Sequence, residues 1–146
     1  MSLSEADPRV FVDSSAYYAA IDRRDADHTA ARATMQSLII ARRRLTTSNA
    51  VLFELHALLI NRLGRDVAWN ALVALRASQT IVRVRPTDER RAEEILAQYD
   101  DKDFSLTDTL SFAVMERLGI RMAFSLDAHF AQFGWQLLPL ETNPTP

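Results

Sequence analysis

Short β-like runs alternate with longer helical ones along the whole chain, and this alternation limits the fold more than any other feature. "RVFVD" (residues 9–13), "RLTTS" (44–48), "TIVRV" (80–84), "RMAFSL" (121–126) and "WQLLP" (135–139) read as strands. The intervals carry helical periodicity over residues 14–24, 27–41, 50–63, 66–77, 88–99 and 107–118, with a short helix from Asp127. Strands separated by helices predict an α/β fold of three layers, α/β/α, with a central, mostly parallel sheet flanked by helices. Gly64, Gly119 and Gly134 each follow a helical run and read as helix stops. At 146 residues the chain suits one domain, and 48% hydrophobic residues suffice for one core. The expected division is a flexible N-terminus over residues 1–8, a single domain over 9–140 and a loose tail over 141–146.

Several function classes drop out early. There are no cysteines, which excludes disulfides, zinc–thiolate sites and thiol catalysis, and fits a reducing cytoplasm. Charged residues interrupt every apolar run, so no membrane span is expected, and "MSLSEADPRV" lacks the pattern of a secretory signal. No glycine-rich phosphate loop is present. The net charge of −2 argues against a generally basic nucleic-acid binder. Sixteen of the seventeen cations are arginine, however, and guanidinium forks suit phosphate. Arg42–Arg44 and the pair Arg83 and Arg85 are candidates to hold it; a solvated arginine-rich surface is the competing reading.

In open α/β sheets, ligands bind outside the carboxyl ends of the strands. Asp13 and Asp127 stand at two such ends, and each also suits a helix N-cap. Asp108 falls in the first turn of a helix that Ser105 or Thr107 would cap, where an acid favours the helix dipole. Asp103 lies nearby in "DDKD".

Glu54 has no such explanation. On a helical wheel at ~100° per residue, Val51, Leu52, Leu55, Leu58 and Leu59 form one apolar stripe, and Phe53, Ala57 and Ile60 a second. Glu54 falls between them. A helix apolar on two sides packs against two things, and the second is another part of the domain, a second subunit or a partner protein. Carboxylates converging from these segments would repel one another unless a cation compensated. Oxygen-only ligands point to Mg²⁺ or Mn²⁺ rather than zinc, and to metal-assisted phosphodiester hydrolysis.

Four segments, "VFVDSSAYYAAIDRRDADHTAA", "LTTSNAVLFELHALLINRLG", "DKDFSLTDTLSFAVMERLGI" and "MAFSLDAHFAQFGWQLLP", span nearly all of residues 10–139. In this order they resemble the PIN-domain family, in particular the VapC-type ribonuclease toxins of bacterial toxin–antitoxin pairs. The resemblance implies that Asp13, Glu54, Asp108 and Asp127 hold Mg²⁺ or Mn²⁺ and orient an attacking water, with Asp103 as a less regular fifth acid. Ser14 would lie beside the site, and Thr107 and Ser125 occupy polar positions next to acids. Ser125 stands where the family more often has threonine, a mild departure that keeps the hydroxyl. The implied function is a metal-dependent endoribonuclease acting on RNA in the cytoplasm, a homodimer inhibited by a cognate antitoxin protein. Two rivals stay open: a nuclease of the same fold in RNA or DNA processing without an antitoxin, and a non-catalytic module that binds a metal or a basic partner.

The remaining polar and aromatic residues read as structural. His28, His56 and His129 carry no pairing pattern and read as surface or local packing, with His56 nearly opposite Glu54 on the wheel. Trp69 and Trp135 read as packing residues. Tyr17 and Tyr18 read as core or dimer contacts, one of them placed to line a substrate groove.

Overall fold

A computed structural model of the protein describes residues 7–139. The strands are β1 (Arg9–Val12), β2 (Arg44–Ser48), β3 (Thr80–Val82), β4 (Met122–Phe124) and β5 (Gln136–Leu138). The helices are α1 (Ser14–Ile21), α2 (His28–Ile40), α3 (Asn49–Leu63), α4 (Arg65–Ser78), α5 (Pro86–Gln98), α6 (Leu106–Leu118) and α7 (His129–Phe133). The loose segments expected at the two ends lie outside the described residues, apart from Asp7 and Pro8. Those two are tied to the sheet: Asp7 accepts hydrogen bonds from the Arg9 backbone and guanidinium, and Pro8 accepts one from the Arg44 amide.

The sheet order is β3-β2-β1-β4-β5, and every neighbouring pair is parallel. β1 is central, and its Val10, Phe11 and Val12 are fully buried, as a parallel strand covered on both faces requires. The chain moves outward from β1 to β3, then crosses back to β4 on the other side of β1. Right-handed crossovers put the helices of these two legs on opposite faces. Accordingly α1 packs on α2 and α3, and α3 on α4, while α5 packs on α6 and α6 on α7; α3 and α6 also touch, so the two groups of helices meet. The order reverses between β1 and β4, so their carboxyl ends flank the switch point where such sheets bind ligands.

Local chemistry sets the element boundaries. β2 is polar yet buried, because Thr47 Oγ1 donates to Val12 O of the central strand at 2.8 Å and Ser48 caps α3 through the Val51 amide. α5 begins at Pro86, two residues before the expected start. Proline suits a first helical position because its missing N–H would have no intrahelical partner there. The buried carboxylate of Asp88 then caps from inside, accepting the Arg85 amide at 2.8 Å, while the Arg117 guanidinium of α6 binds its outer side at 2.9 Å. Burial pushes the Asp88 carboxyl up, but the bonds from Arg117 and the Arg85 amide and the charges of both arginines outweigh it and hold it below its ordinary value. All three glycines end helices as expected; at Gly119 the φ of 71° is the left-handed conformation that a side chain would strain.

The two stripes of α3 separate as the wheel predicts. Val51, Leu52, Leu55 and Leu59 are buried, whereas Phe53 is 64% and Ile60 42% exposed. Trp69 is not a packing residue: it projects from α4 at 60% exposure, near the half-exposed Val73. Trp135 does pack, against Phe133. No helix among the described residues is long and apolar enough to cross a membrane.

Candidate active site

The carboxyl ends of β1, β2 and β4 feed side chains into one cleft of about 400 Å³. Asp13, the residue after β1, caps α1 as one of its two readings expected, and it also lines the cleft. Its Oδ2 accepts the Ser15 hydroxyl at 2.8 Å and the Ser125 hydroxyl at 3.0 Å. Glu54 sits on the second turn of α3, a position fixed by the Ser48 cap at the end of β2. It is open to solvent at the cleft wall, where its Oε1 accepts the Ser14 hydroxyl at 2.6 Å. Ser105, not Thr107, caps α6: Asp108 N–H donates to Ser105 Oγ and the Ser105 amide donates back to Asp108 Oδ2, each at 3.0 Å. Asp127 lies beyond the end of β4, its amide on Ser125 Oγ and its Oδ1 accepting the His129 amide.

The sequence-predicted acids thus meet. Asp13, Glu54, Asp103, Asp108 and Asp127 all line the cleft, as does Ser14. Ser125 lies beneath it, buried and bonded to Asp13. Thr107 is half-buried and does not line the cleft.

The structure adds residues that pattern reading passed over. His129, read as surface or packing, turns Nδ1 onto Asp108 Oδ2 at 2.8 Å and Asp127 Oδ2 at 3.1 Å. Ser15 bonds Asp13 and accepts the Leu126 amide, stitching α1 to the loop after β4. Asp25 and Asp27, from the α1–α2 loop, join the cleft wall, and Arg62 at the end of α3 stands at its rim with its guanidinium over the Tyr18 ring. Tyr18 therefore does line the groove, while Tyr17 is core with its hydroxyl on Gln79. By contrast, Arg42–Arg44 lie where β2 begins, at the opposite end of the sheet from the cleft. Their position follows from strand polarity: a run that opens a parallel strand faces away from the carboxyl ends. Arg83 and Arg85 follow β3 and lie outside the cleft lining.

Seven carboxylates line the cleft against Arg62 and His129. The cost shows at Asp13, only 4% exposed, whose pKa is raised to about 6. Burial is the main cause and the Asp108 charge adds to it, while the serine hydroxyls pull the other way. The donors fit a divalent cation: one ligand atom each from Asp108, Asp127 and His129 lie within 4.8 Å of one another, and Asp13 and Glu54 line the same cleft.

The PIN-domain family model matches residues 10–136, from β1 to the first residue of β5, with all seven helices between them. The chain belongs to the PIN-domain family. Among PIN-domain proteins it is 36% identical over 129 residues to the 23S rRNA-specific endonuclease VapC20 of Mycobacterium tuberculosis, covering 86% of this chain and 95% of that protein. The crystal structure of VapC20, described as a sarcin–ricin loop cleaving toxin, superposes with a TM-score of 0.80 at 33% identity, again over 86% of this chain and 95% of that one. Two more distant structures share the PIN fold. VapBC2 of Rickettsia felis, bound to promoter DNA, has a TM-score of 0.66 at 13% identity, covering 88% of this chain and 96% of that one. PAE2754 of Pyrobaculum aerophilum has a TM-score of 0.62 at 20% identity, covering 92% and 87%.

Proposed function

We propose that this PIN domain is a divalent-metal-dependent endoribonuclease, the toxin of a toxin–antitoxin pair. The observation that carries the reading is the convergence of Asp13, Glu54, Asp108 and Asp127, from four separate elements, on one cleft at the sheet's switch point. Asp13 and Asp127 beyond the ends of β1 and β4, and Asp108 in the first turn of α6, would hold the cation, Mg²⁺ or Mn²⁺, with Glu54 of α3 on the same cleft wall. When bound, the cation polarises the scissile phosphate and activates a water for attack. The chain's own part is positioning. The hydroxyls of Ser15 and Ser125 fix Asp13, that of Ser14 fixes Glu54, and the α6 capping box fixes Asp108. Carboxylates held in this way need little reorganisation when charge shifts during reaction. The excess of acids supports the reading, because carboxylates at this density repel RNA phosphates and a bound divalent cation offsets part of that charge.

The substrate proposed first is 23S rRNA, the target named for the 36% identical relative, which would place the protein in the cytoplasm. The partners proposed are a second copy of the chain and an antitoxin. Phe53 and Ile60 on α3, with Trp69 and Val73 on the adjoining α4, are exposed large apolar side chains that a partner surface could cover.

The deciding experiment incubates the wild type, Asp13→Asn and Asp108→Asn with purified ribosomal RNA, with Mg²⁺ or Mn²⁺ and with chelator. Cleavage by the wild type with metal, and a loss of at least about 100-fold in both variants, is the expected result. Equal cleavage by either variant, or by the wild type in chelator, overturns the proposal.

A further inference from the structure

The imidazole of His129 enters the cleft between two carboxylates, and its geometry differs from that of an ordinary packing histidine. His28 shows the ordinary case: its Nδ1 bonds a backbone carbonyl, that of Ala19, at 2.8 Å. His129 instead points Nδ1 at Asp108 Oδ2 and Asp127 Oδ2, at 2.8 and 3.1 Å. Neighbouring ligands on an octahedral ion with arms of about 2.1 Å stand about 3.0 Å apart, so Nδ1 already keeps ligand spacing from both oxygens.

The ring is held in that pose from two sides. Its backbone N–H donates to Asp127 Oδ1 at 3.0 Å, and the ring packs edge-on to Phe104 at 5.4 Å. Phe104 is itself buried and packs edge-on to Phe112 and Phe133, so it offers a firm wall. Asp108 is fixed independently by its capping box. Three donors therefore arrive pre-placed, Asp108 from the first turn of α6, Asp127 from the loop after β4 and His129 from the start of α7.

We propose that His129 ligates the bound cation through Nδ1, and that this nitrogen biases the site toward a first-row transition ion such as Mn²⁺ over Mg²⁺. The proposal rests on the reading of the cleft as a divalent-metal site. Mg²⁺ is bound through oxygen ligands and gives up water reluctantly, whereas imidazole is a good donor to the later ions of the first row. Mn²⁺ shares the preference of Mg²⁺ for the carboxylates that make up the rest of the site, so a difference between these two ions isolates the contribution of the nitrogen.

The test uses the full chain and needs no RNA. Electron spin echo envelope modulation of the Mn²⁺-loaded wild type reads directly coordinated ¹⁴N, and His129→Asn and His129→Gln assign it. Calorimetric titrations of all three proteins with Mn²⁺ and with Mg²⁺ give the selectivity. The expected result is imidazole nitrogen modulation in the wild type and none in either variant. The Mn²⁺ Kd rises at least about tenfold while the Mg²⁺ Kd changes less than about threefold. No nitrogen modulation in the wild type, no Mn²⁺ binding, or equal losses for the two ions would overturn it, the last because a purely structural role weakens every ion alike. The wild-type spectrum stands even where a variant folds poorly. Nitrogen-coordinated Mn²⁺ in a protein that cleaves no RNA would defeat the nuclease reading and leave this one intact.

Discussion

Ser14 Oγ donates a 2.6 Å hydrogen bond to Glu54 Oε1, joining the first residue of α1 to the second turn of α3 across 40 positions of sequence. Ser14 is buried and Glu54 is not, so the serine acts as a fixed post for a carboxylate that otherwise has the freedom of a surface side chain. A hydrogen bond to a charged group is worth about 1.5–3 kcal/mol. Ser14→Ala should therefore lower kcat/KM for RNA cleavage by about tenfold or more. Ser14→Thr, which restores the hydroxyl, should recover most of it. The melting temperature of Ser14→Ala should fall by no more than about 10 °C, the most that a bond of this size accounts for, and Ser14→Thr should restore it with the activity. A loss of activity that Thr does not rescue would show that the bond is incidental.

Asp13 gives a prediction of opposite sign for stability. Its pKa in the folded protein is raised to about 6, from an ordinary 3.8. Between these values the folded state holds a proton that the unfolded state has lost, so stability falls as pH rises. The contribution is full below about pH 4 and lost on passing about pH 6. The difference of roughly two units corresponds to about 3 kcal/mol in the metal-free protein. Asp13→Asn keeps the shape and an acceptor for Ser15 and Ser125 but cannot ionise. In chelator at pH 8 the variant should melt higher than the wild type, with the gap closing toward pH 4.5. Added Mn²⁺ should raise the wild type more than the variant, which has lost one carboxylate but keeps Asp108, Asp127 and His129. Thermal melts in the two buffers, with and without the ion, check it.

What the sequence disclosed and what it hid divide along a physical line. Asp13, Asp108 and Glu54 stand on or beside periodic elements, and strand polarity fixes which end of the sheet those elements share. The alternation of β and α runs therefore carried the layers and put Asp13, Asp108 and Asp127 at one end of the sheet, while the full set with Glu54 came from the resemblance to PIN domains. His129, Ser15 and Asp25 enter through the short helix α7, the first turn of α1 and a loop, where no period reports a side chain's direction. Trp69 shows another gap: an apolar residue on an amphipathic helix reads as core until the neighbouring helices are placed.

The Arg117–Asp88 pair anchors α6, and through it Asp108, to α5. Asp88 is 2% exposed and takes bonds from the Arg117 guanidinium and the Arg85 amide. Removing one partner of a buried pair leaves an uncompensated charge, at a cost of about 3–5 kcal/mol. Arg117→Ala should lose about that much in urea denaturation at pH 7, and Arg117→Lys less. The folded pKa of Asp88 is depressed, so the pair's stabilisation is present above about pH 4 and lost as pH falls below it through the folded value. The gap between wild type and Arg117→Ala should accordingly narrow in acid.

Arg62 is the cation best placed to meet the substrate. It lines both the acidic cleft and an adjoining hollow that also carries Arg23 and Arg24, and Tyr18 holds its guanidinium at 5.1 Å from the ring centroid. RNA whose scissile phosphate enters the cleft would lay a flanking phosphate along this rim. Binding is best measured with Asp108→Asn as the background, so that the RNA stays intact. Adding Arg62→Ala should weaken RNA binding several-fold at low salt and reduce the slope of log K against log salt by close to one phosphate's worth, about 0.7 for a single strand. Adding Arg42→Ala and Arg43→Ala, at the far end of the sheet, should change neither. Equal effects from the two ends would place the RNA elsewhere on the surface.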